Sequence, residues 1–297
     1  ANYMICGNID NTMIRALHPE EYPELLKEIP EPPKQLRYEG ALPPPDNKLL
    51  AIVGSRKFTH YGRETCEALI AGLAHAPVTI VSGLALGMDS IAHRAALRYG
   101  LQTLAIPGSG LDRKVIHPRS HAGLADEIVE SGGGLMSEYD DLMPAGVWAF
   151  PKRNRIMAGM CHATIVIEAE RRSGTLITSR LATEYNRDVG TVPGPVSSPT
   201  SDGPHMLIRL GAALIRDHND VRELLGLKRT DEAPTLLDVE ELTDEEKIFI
   251  KILEKPCPRD ELIRRSKLDT GSASAILSLL EIKGLIAENL GEVRKTF

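Results

Sequence analysis

Three cations, Lys152, Arg153 and Arg155, fall within four positions of the stretch FPKRNRIMAGM, residues 150–160. The whole chain carries a formal net charge of -6 at pH 7, so positive charge is concentrated here rather than spread. Guanidinium and ammonium groups are donor-only, and a guanidinium fork matches the oxygens of a phosphate. Pro151 precedes the cluster, and residues 154–162 read as a helix. The cations then crowd a helix N-terminus, where the backbone dipole is already positive. An anionic ligand relieves that mismatch. Lys152, Arg153, Asn154 and Arg155 are therefore candidate phosphate contacts, with Phe150 beside them as a ring for stacking. Arg155 has an alternative, an ion pair with Glu138 or Glu168.

Other candidates sit in loops. GSRKF (54–58) offers Gly54 for a tight turn, with Ser55 and Arg56 following. In SGLALGMD (82–89), Gly83 and Gly87 flank a loop that runs into a helix, a place where backbone N–H groups face an anion. AERRSGTLIT (169–178) opens another helix with Ser173, Gly174 and Thr175. None of these is a G-x-G-x-x-G or a Walker A motif, which argues against NAD and against P-loop ATP chemistry. Ser55, Ser82 and Ser173 follow apolar runs, but no G-x-S-x-G elbow is present. His93 lies within a helical pattern, and His117 and His121 are separated by Pro118. No set of acid, base and nucleophile emerges, and no cofactor or metal is expected.

Something must bring these loops together. Short apolar runs alternate with helical patterns: 49–55, 78–83, 102–108, 135–139, 163–169 and 189–194 read as strands, and 61–76, 88–100, 121–132 and 175–188 as helices. A final helix and strand, HMLIRLG and AALIRD, close the block. Continuous rather than alternating apolar strands indicate a parallel sheet buried on both faces. Right-handed crossovers make it doubly wound, with its crevice at the strands' carboxyl ends. Every candidate loop lies at such an end. The expected class is α/β, an extended Rossmann-like, mostly parallel sheet.

Four segments are expected. Residues 1–48 form a leader ending in the proline-rich ALPPPDNK, 49–226 the Rossmann-like domain, 227–242 a linker and 243–297 a smaller domain. The leader and the region after 226 each carry a net charge of -3, and the middle block is neutral. Three short helices followed by LIAENLGEVRKTF, a hairpin turning at Gly291, suggest a winged helix. Thr243 and Glu246 have the spacing of a capping box for its first helix. Its candidate recognition helix, SASAILSLLEIKGL, holds a single cation, Lys283. This favours protein contact over duplex binding, which runs on phosphate neutralisation.

At 297 residues the chain is long enough for one large domain and a smaller one. Four widely spaced cysteines (6, 66, 161, 257) form no C-x-x-C pair and suit a reducing, cytoplasmic location. No run approaches the length of a membrane span, and no signal peptide opens the chain.

The segments AIVGSR, SGLALGMDSIAHRAAL, LAIPGSGLD, SEY, FPKRNRIMAG, IVIEAERRSGTLITSRLA and VPGPV together resemble the DprA/Smf family of bacterial DNA-processing proteins. The likeness covers about residues 18–226. It implies a non-enzymatic protein of natural transformation, one that binds and protects incoming single-stranded DNA. It further implies a homodimer and loading of the recombinase RecA. The family's DNA pocket maps onto Arg56 and Lys152, lined by GLALG and RSGT. The family's helical N-terminal domain is absent or nearly so, which suggests a trimmed start. Two rivals stand beside this reading. One is a phosphoribohydrolase-type nucleotide-binding enzyme, whose P-G-G-x-G-T-x-x-E loop this chain lacks. The other is a protein-only adaptor with a vestigial crevice.

Overall fold

The computed structural model describes residues 13–230, 243–253, 255–282, 285–289 and 291–295. The chain divides into two compact units, 1–233 and 234–297. In the first, chain order is β1 (Arg15–Ala16), α1 (Glu24–Lys27), β2 (Arg37–Gly40), β3 (Lys48–Val53), α2 (His60–Ala71), β4 (Val78–Ser82) and α3 (Met88–Arg98). Then come β5 (Thr103–Ala105), α4 (Ala122–Glu130), β6 (Gly134–Ser137), α5 (Ala149–Met160), β7 (Ala163–Val166), α6 (Thr175–Glu184), β8 (Asp188–Thr191), α7 (Asp202–Arg209), β9 (Ala213–Leu214) and α8 (His218–Leu224).

These strands make one nine-stranded sheet in the order β1-β2-β6-β5-β4-β3-β7-β8-β9. Every pair from β6 to β9 is parallel, and β1 and β2 are antiparallel additions at one edge. The parallel strands read as unbroken apolar runs because both faces are covered: all residues of β4, β5, β6 and β7 are buried. From β3 the chain winds outward through β4, β5 and β6, then returns to lay β7 on the other side of β3. The order reverses between β3 and β7, so the loops after these two strands diverge and leave a crevice. The α/β class and doubly wound sheet expected from the sequence are present.

Two features differ from expectation. The leader is woven into the sheet through β1 and β2, because its apolar residues need cover. Leu17, Leu26, Leu36 and Tyr38 share one core with Leu49, Ala51 and Val53. Burying each such side chain contributes about 1.5–3 kcal/mol, which explains why the segment folds back despite its prolines. Helix α1 and the turn after it seat Leu26 and Ile29 against Gly159 of α5, where a Cβ would lie 2.6 Å from Ile29. The second difference is the start of α5, five residues before the expected Asn154. Pro151 stands in its first turn, where a missing N–H costs nothing because those donors have no intrahelical acceptor.

The second unit holds α9 (Asp244–Ile252), β10 (Cys257–Pro258), α10 (Arg259–Ser266), α11 (Thr270–Ile282), β11 (Ile286–Asn289) and β12 (Glu292–Lys295). The last two form a hairpin turning at Gly291 (φ +82°), and β10 pairs with β12. Phe249, Leu262, Leu277, Leu280 and Val293 are buried within it. The expected capping box is in place: Thr243 Oγ1 accepts from the Glu246 N–H at 3.2 Å, and the Thr243 N–H donates to Glu246 Oε2 at 2.9 Å. Lys283, Cys6 and most of the expected linker lie outside the described residues.

Candidate functional site

A cleft of about 440 Å³ opens at the switch point between β3 and β7. Its walls are the loop after β3, the loop that leads into α3 with the first turn of that helix, the first turns of α5, and the loop that leads into α6. Of the expected site residues it gathers Gly54, Ser55, Arg56, Phe150, Arg153, Asn154, Ser173, Gly174 and Thr175. Four cations line it, Arg56, Lys57, Arg153 and Arg172, against two carboxylates, Asp89 and Glu170. The cleft therefore attracts anions although the chain is acidic.

Arg56 is one of three exposed cations that line it, with Lys57 and Arg172. Its guanidinium lies over the Phe150 ring, 5.5 Å from the centroid. Phe150 also packs against His117, with centroids 5.8 Å apart, and against Gly108, where a Cβ would lie 2.6 Å from the ring. The loop carrying Arg56 is clamped from below. Ser55 is buried, its Oγ donating to Lys57 O at 2.8 Å and accepting from Lys57 N–H at 3.0 Å. The N–H of Met88 donates to Ser55 O at 3.2 Å. Gly87 passes so close, at φ +85°, that a Cβ would lie 2.6 Å from Arg56 Cα. Across the cleft, Thr175 Oγ1 donates to Gly54 O at 3.1 Å and ties the two switch-point loops together.

Several expected phosphate contacts have other employment. Arg153 is buried and points beneath the cleft floor, donating to the carbonyls of Gly83 (2.7 Å) and Ile106. Asp89 lies alongside and accepts from the N–H groups of Gly83 (3.1 Å) and Ala85 (3.4 Å). The amides of the GLALG loop thus face an internal carboxylate, so Gly83 and Gly87 shape the cleft and do not line it. Burial pushes the Asp89 carboxyl up and the Arg153 guanidinium down, each partly offset by the other's charge. At the mouth of α6 the N–H of Thr175 donates to Ser173 Oγ, and those of Leu176 and Ile177 to the carbonyls of Ser173 and Gly174. Charge, rather than free amides, is what this cleft offers.

Lys152 and Arg155 lie on another face of α5. At 100° per residue, positions 150, 154 and 157 share one stripe, and 148, 152 and 155 another nearly opposite. The first stripe lines the cleft. On the second, Arg155 pairs with buried Glu138 and donates to Glu31 O, and Lys152 Nζ lies 3.4 Å from Glu138 Oε1. Lys152 remains half exposed (51%), while Arg155 is enclosed (12%). In sequence these cations fall together because the apolar periodicity places the helix start at Asn154 rather than Ala149. Lys57 and Arg172 also line the cleft, and the signal for them in the sequence is that each lies in a loop directly after a strand. Among the described residues no His/Cys/Asp/Glu group is placed to hold a metal ion.

The sheet order, the cationic switch-point crevice and the small helix–hairpin unit define a Rossmann-like α/β protein with a winged helix attached. Residues 13–226 match the family model for DNA recombination-mediator protein A, and residues 232–291 that for the DprA winged helix domain. The chain belongs to the DprA/Smf family. It is 42% identical over 217 residues to Protein Smf of Escherichia coli, a match covering 72% of this chain and 58% of that protein. It is 43% identical over 200 residues to DNA processing protein DprA of Streptococcus pneumoniae, covering 67% and 70%. The solved structure of the pneumococcal protein superposes with a TM-score of 0.66 at 38% identity, over 73% of this chain and 75% of that one. DNA processing protein A from Helicobacter pylori, whose structure was described for its mode of single-stranded DNA binding, gives 0.63 at 29% identity, over 72% and 96%. The chain thus spans under two thirds of the E. coli relative's length.

Proposed function

We propose that this chain is a non-catalytic single-stranded DNA-binding protein of DNA recombination, whose switch-point cleft grips backbone phosphates. The observation that carries this reading is Arg56: an exposed guanidinium stacked on Phe150, with exposed Lys57 and Arg172 lining the same cleft, where a flexible polyanion can enter. Phosphate contacts dominate, so sequence preference is slight. Duplex is a poor ligand because a recessed cleft admits one strand more easily than two. The protein protects incoming strands in the cytoplasm and passes them to the RecA recombinase during transformation or related recombination. A homodimer fits the exposed Met206, Leu210 and Leu214, which lie on or beside α7 and the edge strand β9. No helix among the described residues is long and apolar enough to cross a membrane.

The test is fluorescence anisotropy with labelled oligo-dT and with duplex of equal length, across salt. Arg56→Glu should weaken single-strand binding tenfold or more, since a charged contact contributes about 1.5–3 kcal/mol. An unchanged affinity and salt slope in that variant removes DNA from this cleft.

A further inference from the structure

Outside the cleft, the second stripe of α5 carries an unusual surface. Trp148, the chain's only tryptophan, is 59% exposed at the helix start, and the adjoining Val147 is 87% exposed. The indole is not loosely placed. It meets Tyr139 edge to face, with centroids 5.6 Å apart and planes at 87°. Tyr139 is itself buried, its hydroxyl donating to Ala149 O at 3.2 Å. One turn along α5, the Lys152 ammonium stands 5.8 Å from the Tyr139 centroid. A rigidly backed, exposed ring with a cation one helical turn away is the pairing that single-strand binders use, base on ring and phosphate on cation.

The charge around it is consistent with that use. Glu138 is neutralised by Arg155 and Asp141 by Arg37, at 2.6 Å. Exposed Asp140 remains as an opposing charge. Lys152 is the half-exposed cation on this stripe; its ammonium lies 3.4 Å from Glu138 Oε1, an oxygen that accepts no hydrogen bond, while Arg155 binds Oε2. The stripe and the cleft share the first turn of α5, so a chain leaving Phe150 and Arg56 reaches Trp148 by crossing one helix width, about 10 Å.

We propose that Trp148 is a second nucleic-acid contact, a stacking platform for an unpaired base of the strand held in the cleft, with Lys152 taking the adjoining phosphate. This inference rests on the single-strand reading above and extends the site beyond the cleft. Sequence-tolerant stacking suits a ligand without fixed sequence, since every base presents a π-face.

Because Trp148 is the single tryptophan, its emission reports on this position alone. The full chain is titrated with oligo-dT and with an abasic oligomer of equal length, following indole emission and the anisotropy of labelled strand together. Oligo-dT should quench the indole with the same midpoint as the anisotropy change, and the abasic strand should bind without quenching. Trp148→Leu should lose about tenfold in affinity for oligo-dT but little for the abasic strand, and Trp148→Phe should recover most of the loss. Binding of oligo-dT with unchanged emission, or a Trp148→Leu variant that binds it as tightly as the parent, overturns the proposal and leaves the cleft reading standing. If neither strand changes the anisotropy, both readings fail. Quenching by a second copy of the chain or by a protein alone, and not by oligo-dT, also overturns it.

Discussion

The Arg153 guanidinium occupies the space that a side chain on Gly83 would fill. Its Nη1 donates to Gly83 O at 2.7 Å, and a Cβ built on Gly83 would lie 2.2 Å from the same nitrogen. The bare backbone at the end of β4 lets a buried cation cross under the cleft and join β4 to the residue after β5. Gly83→Ala should therefore cost about 1–3 kcal/mol as the guanidinium is displaced. Arg153→Met should cost about 3–5 kcal/mol, because it strands Asp89 without its counter-charge. Urea unfolding of the two variants checks this, and midpoints equal to the parent's would show that the pair is idle.

That relationship marks the limit of what the sequence discloses. Seven apolar runs and their intervening periodicities suffice to infer the parallel sheet, and the loops at its carboxyl rim follow from topology. Which cations reach solvent does not follow. Arg153 and Arg155 are ordinary members of a charge run until the helix start is known, and moving that start five residues back sets them on separate faces of α5. Asp89 reads as a helix-start charge, yet only three dimensions show that its carboxylate takes the amides expected to hold a phosphate. The leader's place in the sheet escaped for a similar reason. A two-residue strand and a four-residue strand carry too little period to detect, and what holds them is burial contributed by distant residues.

Acid should weaken the fold through His93. Its Nδ1 lies 2.8 Å from Thr103 Oγ1, which spends its own proton on Ile80 O at 2.9 Å. Nδ1 is therefore the donor, and the buried Nε2 has no partner. Burial, with His121 and Arg153 nearby, pushes the pKa down to about 3 from 6.5. The unfolded chain takes up a proton below pH 6.5 that the folded chain refuses until about pH 3. Stability from this group is thus complete above pH 6.5 and falls as the pH drops through that window. The loss reaches about 2 kcal/mol at pH 5. Urea melts at pH 7.5 and 5.0 should show a smaller drop for His93→Gln than for the parent, whereas parallel drops would assign the acid sensitivity elsewhere.

Gly87 governs where Arg56 stands. Its positive φ disfavours any other residue, and a Cβ there would press on Ser55 O at 2.5 Å and on Arg56 Cα. Gly87→Ala should displace the Arg56 loop and lower oligo-dT affinity severalfold. A thermal melt on the same sample separates this from general unfolding. The reading fails if the variant is folded and binds like the parent.

Arg155 and Arg56 should fail in opposite ways. Arg155 is enclosed with Glu138 on the stripe of α5 that faces away from the cleft, so its truncation removes a partner from a buried carboxylate. Lys152 is close enough to compensate in part, at 3.4 Å. Arg155→Met should then cost about 1–3 kcal/mol of stability, with a loss of oligo-dT affinity of a few-fold as Lys152 is drawn to Glu138, well short of the loss in Arg56→Glu. Arg56 is exposed and makes its ring contact at the surface, so Arg56→Glu should melt like the parent and lose binding. Parallel urea melts and anisotropy titrations place the two variants on separate axes. A tenfold or greater loss in a stably folded Arg155→Met, with Arg56→Glu binding like the parent, would mean that the strand's main path runs along the Glu138 side of α5 rather than through the switch-point cleft.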